Sequence, residues 1–135
     1  MQKMFEAFSN GLADSRKGYH LLLGQLITKL ENTPSETRVR FSHGPFAPGC
    51  LFSYRGYYTD LAFEVSTDLT RTAGGLLAEC HEALGKEFTG YKGGDYVART
   101  DTPLWASDWG SVSGVGIIHV VDENDALVLL TKVID

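Results

Sequence analysis

A chain of 135 residues, 43% of them hydrophobic and 21% charged, is long enough to bury a core without a metal or a disulfide framework, and one domain over residues 1–135 is expected. Its net charge of −5 excludes a nonspecific duplex DNA or RNA binder held by phosphate contacts, while leaving room for a local basic pocket. Two cysteines, Cys50 and Cys80, in no metal-ligand spacing suit a reducing compartment. With no cleavable leader in MQKMFEAFSNG and no apolar run approaching about 18 residues, the sequence predicts a soluble cytoplasmic protein with no membrane partner.

Residues 1–11 leave two readings open, a short helical turn or an arm that packs on a second copy. From Leu12 to Glu31, Tyr19, Leu22, Leu23, Leu26, Ile27 and Leu30 form one apolar stripe at helical spacing. Asp14 and Ser15 lie near its start, and Asn32, Thr33 and Pro34 stop it. Thr37–Ser42 alternates like a half-buried strand, with Arg38 and Arg40 sharing a face that is either solvated or turned to a phosphate. HGPFAPG, from His43 to Gly49, reads as a turn. Cys50–Arg55 and Tyr57–Val65 read as strands joined at Gly56, a connection that projects Arg55, Tyr54, Tyr57 and Tyr58 from a strand end.

Thr70 or Thr72 then caps a second helix with Ala73, Leu76, Leu77, Cys80, Ala83 and Leu84 on its stripe and Gly85 as a left-handed C-cap. Gly74 and Gly75 permit another backbone to approach its first turn. Further strands are predicted at Asp95–Arg99, from Thr102-Pro103, and at Gly114–Val121 and Ala126–Ile134, the last two joined by the four-residue loop Asp-Glu-Asn-Asp. Short turns between consecutive strands favour an α+β domain, an antiparallel sheet of about six strands with two helices on one face.

The stretch that fits no period is Gly85–Gly110, where Phe88, Tyr91, Tyr96, Trp105 and Trp109 are interleaved with glycines and with Lys86, Lys92 and Arg99. Flat faces and cations suit a planar anionic ligand: Phe88, Tyr91 or Trp105 for stacking, Arg55 and Lys92 for phosphates. The competing reading is a glycine-rich loop whose aromatics plug the edge of the core. Catalytic signatures are missing. His20, His43, His81 and His119 form no metal pattern, GYKGGD lacks the ending of a Walker A loop, and Cys50 has no evident base. His119 sits in an apolar strand and reads as a core histidine before a ligand contact. No catalytic residue, metal or cofactor is expected. Apolar stripes covered on only one sheet face give a motive for homo-oligomerisation.

SYRGYYTDLAFEV, ALGKEFTGYKGG and DTPLWA, taken together, resemble in motif order the small phage and prophage proteins of the first Thoeris anti-defence family, nucleotide-signal sponges, over roughly residues 36–120. The resemblance implies a homo-oligomer in the host cytoplasm. It would capture a cyclic ADP-ribose isomer, with cyclic oligonucleotides at separate sites, and would cleave neither. Carried over by position, Arg55 holds phosphate, Phe88 or Tyr91 stacks adenine, and residues about Asp101 and Thr102 bond ribose or base. The last strands lack a second phosphate-binding arginine, leaving His119 or Lys132 in its place. The ligand-binding set is therefore Arg55, Tyr57, Phe88, Tyr91, Lys92, Asp101, Thr102, Trp105 and His119. The alternative expectation is an acidic inhibitor that blocks a host defence enzyme by direct contact.

Overall fold

Helical and strand periods follow one another along this chain, and in the computed structural model the described residues assemble into two helices, a six-stranded sheet and a separate two-stranded hairpin. The structure describes residues 20–54, 60–90, 94–107 and 114–134. The first helix, α1, spans Leu23–Glu31 and buries Leu23, Leu26, Ile27 and Leu30, the predicted stripe. It starts later than the stripe suggests, because Leu21 and Leu22 are extended. The Leu21 N–H donates to the Ile117 carbonyl at 2.7 Å and its carbonyl accepts from Leu104 N–H at 3.1 Å, so the chain enters as a wedge between two strands before it coils. The Gln25 Oε1 accepts from Leu22 N–H at 2.8 Å and closes the first turn. At the far end Asn32 Nδ2 donates to the Thr28 carbonyl and Thr33 Oγ1 to the Lys29 carbonyl, the expected stop. The Asp14–Ser15 start lies outside the described residues.

Strands β1 (Arg38–Phe41), β2 (Ala47–Ser53) and β3 (Leu61–Ser66) precede α2 (Ala73–Ala83). The HGPFAPG turn is shorter than predicted, since Ala47, Pro48 and Gly49 already belong to β2. Proline is tolerated there because β2 lies at the end of the strand order and its register slips between Pro48 and Leu51. In α2 the N-cap is Thr72, whose Oγ1 accepts from Gly75 N–H at 3.2 Å; Thr70 instead closes a local turn on Asp68. A Cβ on Gly74 would lie 2.9 Å from Ser35 Cβ, so the glycine admits the backbone approach that its Gly74 N–H to Ser35 carbonyl bond, 3.0 Å, requires. Gly85 takes φ +83°, the left-handed cap. The hairpin β4 (Glu87–Gly90) and β5 (Gly94–Val97) follows, then β6 (Leu104–Ala106), β7 (Gly114–Glu123) and β8 (Ala126–Ile134).

The sheet order is β1-β8-β7-β6-β3-β2, and two of its pairs, β1 with β8 and β3 with β6, are parallel. The sheet is therefore mixed, a correction to the antiparallel expectation. Local turns decide only the neighbours they join, whereas α2 and the β4–β5 hairpin together form a crossover that returns β6 alongside β3. The order also curls. Phe41 N–H donates to the Phe46 carbonyl at 2.9 Å, joining the end of β1 to the chain entering β2, and gives the sheet a barrel-like form. One face carries the main core, where α1 and α2 meet Val39, Phe41, Leu61, Phe63, Leu104, Ile117, Leu127 and Leu129. The opposite face carries a smaller cluster of Tyr54, Ala62 and Trp105 with Phe52 against it. Among the described residues no helix is long and apolar enough to cross a membrane.

Candidate functional site

The smaller cluster contains the first of the expected ligand contacts. Trp105 is 4% exposed, and its ring stacks on Tyr54 with centroids 4.1 Å apart and planes within 7°, while His20 lies 4.2 Å away at a 51° tilt. Its Nε1–H donates to Asp60 Oδ2 at 2.8 Å. Gly114 completes the packing, since a Cβ there would strike the Trp105 ring and the Tyr54 hydroxyl. An indole so enclosed has no face left for a nucleobase. What it does hold is Tyr54 and Asp60, which flank residues 55–59, and the Tyr54 N–H to Asp60 carbonyl bond of 2.9 Å closes the same junction.

Tyr96 on β5 reaches this junction from the hairpin. Its hydroxyl donates to the Asp60 carbonyl at 2.8 Å and lies 3.0 Å from Ser53 Oγ. Burial, partly offset by the Ser53 hydrogen bond, pushes its ionisation above the usual tyrosine range, and the Asp60 carboxylate adds to that shift. Tyr96 therefore remains a hydrogen-bond donor at neutral pH. Phe88 sits opposite Tyr96 in the hairpin ladder, its ring 6.0 Å from the Tyr96 ring at 27°, with Lys86 Nζ 5.6 Å from its centroid. The half-buried Phe88 ring thus packs against the main core as well as beside a cation.

Thr102 is 5% exposed and works for the fold: its Oγ1 accepts from Arg99 N–H at 2.8 Å and its carbonyl from Leu23 N–H at 2.9 Å. Asp101, one position earlier in that turn, is exposed. His119 is also exposed, which corrects the core-histidine reading. Ile117 is buried, and two residues on His119 would normally share its face, but the β7–β8 register shifts between them and turns His119 outward. Among the described residues no hydrogen bond or ring contact joins His119 to Phe88 or Thr102. Arg55, Tyr57, Tyr91 and Lys92 lie outside the described residues.

The sequence singles out Tyr54 and Trp105 but not their meeting with His20 and Asp60, because the four come from three separate stretches with no motif spacing between them. Arg38 and Arg40 are spent internally, Arg38 Nη1 donating to the Leu69 carbonyl at 3.3 Å and Arg40 Nη2 pairing with Glu123 at 2.8 Å. No group of three or more His, Cys, Asp or Glu side chains poised for a metal occurs among the described residues. Comparison of the chain with protein-family models, curated proteins and solved structures finds no match.

Proposed function

We propose that this protein binds a cyclic nucleotide immune signal, a cyclic ADP-ribose isomer or a cyclic oligonucleotide, and sequesters it without cleaving it, as a phage or prophage anti-defence protein. The observation that carries this reading is the Tyr96 bridge. Ser53 and Asp60 bracket the stretch that contains Arg55 and Tyr57, and the same tyrosine belongs to the hairpin whose connection contains Tyr91 and Lys92. Tyr96 thus ties the described flanks of two stretches that are far apart in sequence and each hold aromatic and cationic residues, which supports a shared site. In this reading Arg55 and Lys92 take the phosphates, Tyr91 and Tyr57 offer stacking faces, and Asp101 bonds a ribose hydroxyl. A second copy of the chain closes the pocket, since a ligand of this size needs more surface than one small domain offers.

The test is to incubate purified protein with a panel of cyclic ADP-ribose isomers and cyclic oligonucleotides and to follow the filtrate by mass spectrometry before and after heat denaturation. Loss of one species and its intact return on heating is expected. Arg55→Ala and Tyr91→Ala should abolish depletion while leaving the circular dichroism spectrum unchanged. Altered ligand after heating would make the protein an enzyme, and no depletion at all would direct attention to an inhibited protein target.

A further inference from the structure

At the opposite end of the sheet from the Tyr96 junction, the parallel strands β1, β3, β6 and β8 all finish and β2 and β7 begin. There a pocket of about 550 Å³ opens, lined by His43, Phe46, Val65, Ser107, Val115, Thr131, Lys132 and Val133. That volume lies within the usual range for small-ligand sites. We propose that this pocket binds a small organic anion, a carboxylate or phosphate monoester that carries an aryl or short alkyl group.

Three features specify that chemistry. First, charge: in a chain of net charge −5 the described residues that line the pocket include one lysine and no carboxylate, and Lys132 is exposed, with no ion pair among the described residues. An anion entering it meets Lys132 without having to displace an acidic side chain of that described lining. Second, an apolar body has a place to go, because Val65, Val115 and the Phe46 ring form walls and Val133, 59% exposed, forms the rim.

Third, the wall is fixed in advance. His43 is stacked on Phe41 at 5.3 Å and lies 5.7 Å from Phe46, and its Nδ1 is 2.8 Å from Thr131 Oγ1. That hydroxyl lies 3.1 Å from Ser42 Oγ, which accepts from Thr131 N–H at 2.9 Å. Gly44, at φ +56°, lets the Phe46 ring fold over the turn, since a Cβ there would fall 2.6 Å from Phe46 Cε2. Little ordering is left for a ligand to impose, which favours small and weakly binding molecules as much as large ones.

This site is separate from the site proposed for the nucleotide, although the family resemblance offers Lys132 as a phosphate contact there. The experiment is chemical-shift titration of isotopically labelled full-length protein with benzoate, phenyl phosphate and the neutral isostere benzyl alcohol. Saturable shifts centred on Val65, Val115, Thr131 and Val133, with a dissociation constant of about 1 mM or tighter for at least one anion, are expected. Benzyl alcohol should bind roughly tenfold more weakly or not at all. Lys132→Glu and Val133→Trp, both at exposed positions, should weaken the anion by about tenfold or more, the first by charge and the second by blocking the rim. Arg55→Ala should leave it unchanged. A preference between benzoate and phenyl phosphate identifies the natural head group and supports the site in either case. Absence of saturable shifts from both anions in folded protein, equal affinity for benzyl alcohol, or full affinity in Lys132→Glu overturns the proposal.

Discussion

Tyr96 does at the scale of one residue what its sequence neighbourhood only hinted at. Its hydroxyl joins the β4–β5 hairpin to both Ser53 and Asp60. Removing it deletes the bonds to the Asp60 carbonyl, which keeps Tyr54 N–H as its other donor, and to Ser53 Oγ, while leaving the ring in place. Tyr96→Phe should therefore cost about 1–2 kcal/mol in urea denaturation, more than an exposed tyrosine edit would. Cys80 gives a second residue-scale prediction. It is fully buried on the α2 stripe, and burial, with a smaller contribution from Glu79, pushes its thiol from 9.0 up to about 12. Between those values the unfolded thiol has lost its proton and the folded one has kept it, so the native state binds more protons and stability falls as pH rises. Below pH 9 this contribution is constant. The stability difference between wild type and Cys80→Ala should narrow by on the order of 1 kcal/mol per pH unit above 9, as seen in denaturant titrations. At neutral pH a thiol reagent should label exposed Cys50 at once and Cys80 only after denaturant is added.

Elements were legible in the sequence where the period was strong and ambiguous where backbone partners decided. The α2 stripe, a threonine cap at Thr70 or Thr72 and the Gly85 terminus follow from residue spacing alone; all three are present, with Thr72 as the cap. The β7–β8 pair was legible too, but its loop is tighter than the polar run implies. Asp122 and Glu123 remain in the ladder opposite Leu127 and Ala126, and only Asn124 and Asp125 turn, at φ 49° and 65°. Asn and Asp tolerate left-handed backbone, and a turn with both central residues there matches the twist of the strands. Asp125→Val, which resists that conformation, should destabilise by about 1–2 kcal/mol, whereas Asp125→Gly should be neutral or better; thermal melts separate the two. The α1 start was not legible, because Leu21 answers to Ile117 and Leu104, and Leu22 of the predicted stripe is bridged to Pro103. Likewise His119 was misplaced by a register shift that no residue type announces.

At the scale of the molecule, the partners that sequence reading missed are the distant ones, and they bear on how the chain folds. Arg38 pairs with Ala126 and Leu61 with Leu104, both in parallel, so neither ladder forms until long stretches of chain have been brought together. Closing such loops is entropically costly before any contact rewards it. Leu21 is the piece that must arrive for the sheet to be complete, since it bonds Ile117 on one side and Leu104 on the other and is 5% exposed. Truncation to alanine leaves both backbone bonds intact and removes only the side chain's share of the main core, at a cost of about 2–4 kcal/mol. If the wedge docks after the sheet has assembled, Leu21→Ala raises the unfolding rate and leaves the folding rate nearly unchanged. Stopped-flow chevrons for wild type and Leu21→Ala check this. Overlapping refolding limbs with separated unfolding limbs are expected, together with wild-type folding in the range of milliseconds to seconds. A parallel drop of the refolding limb would instead put the wedge inside the folding nucleus, making residues 20–22 part of what draws β6 and β7 together.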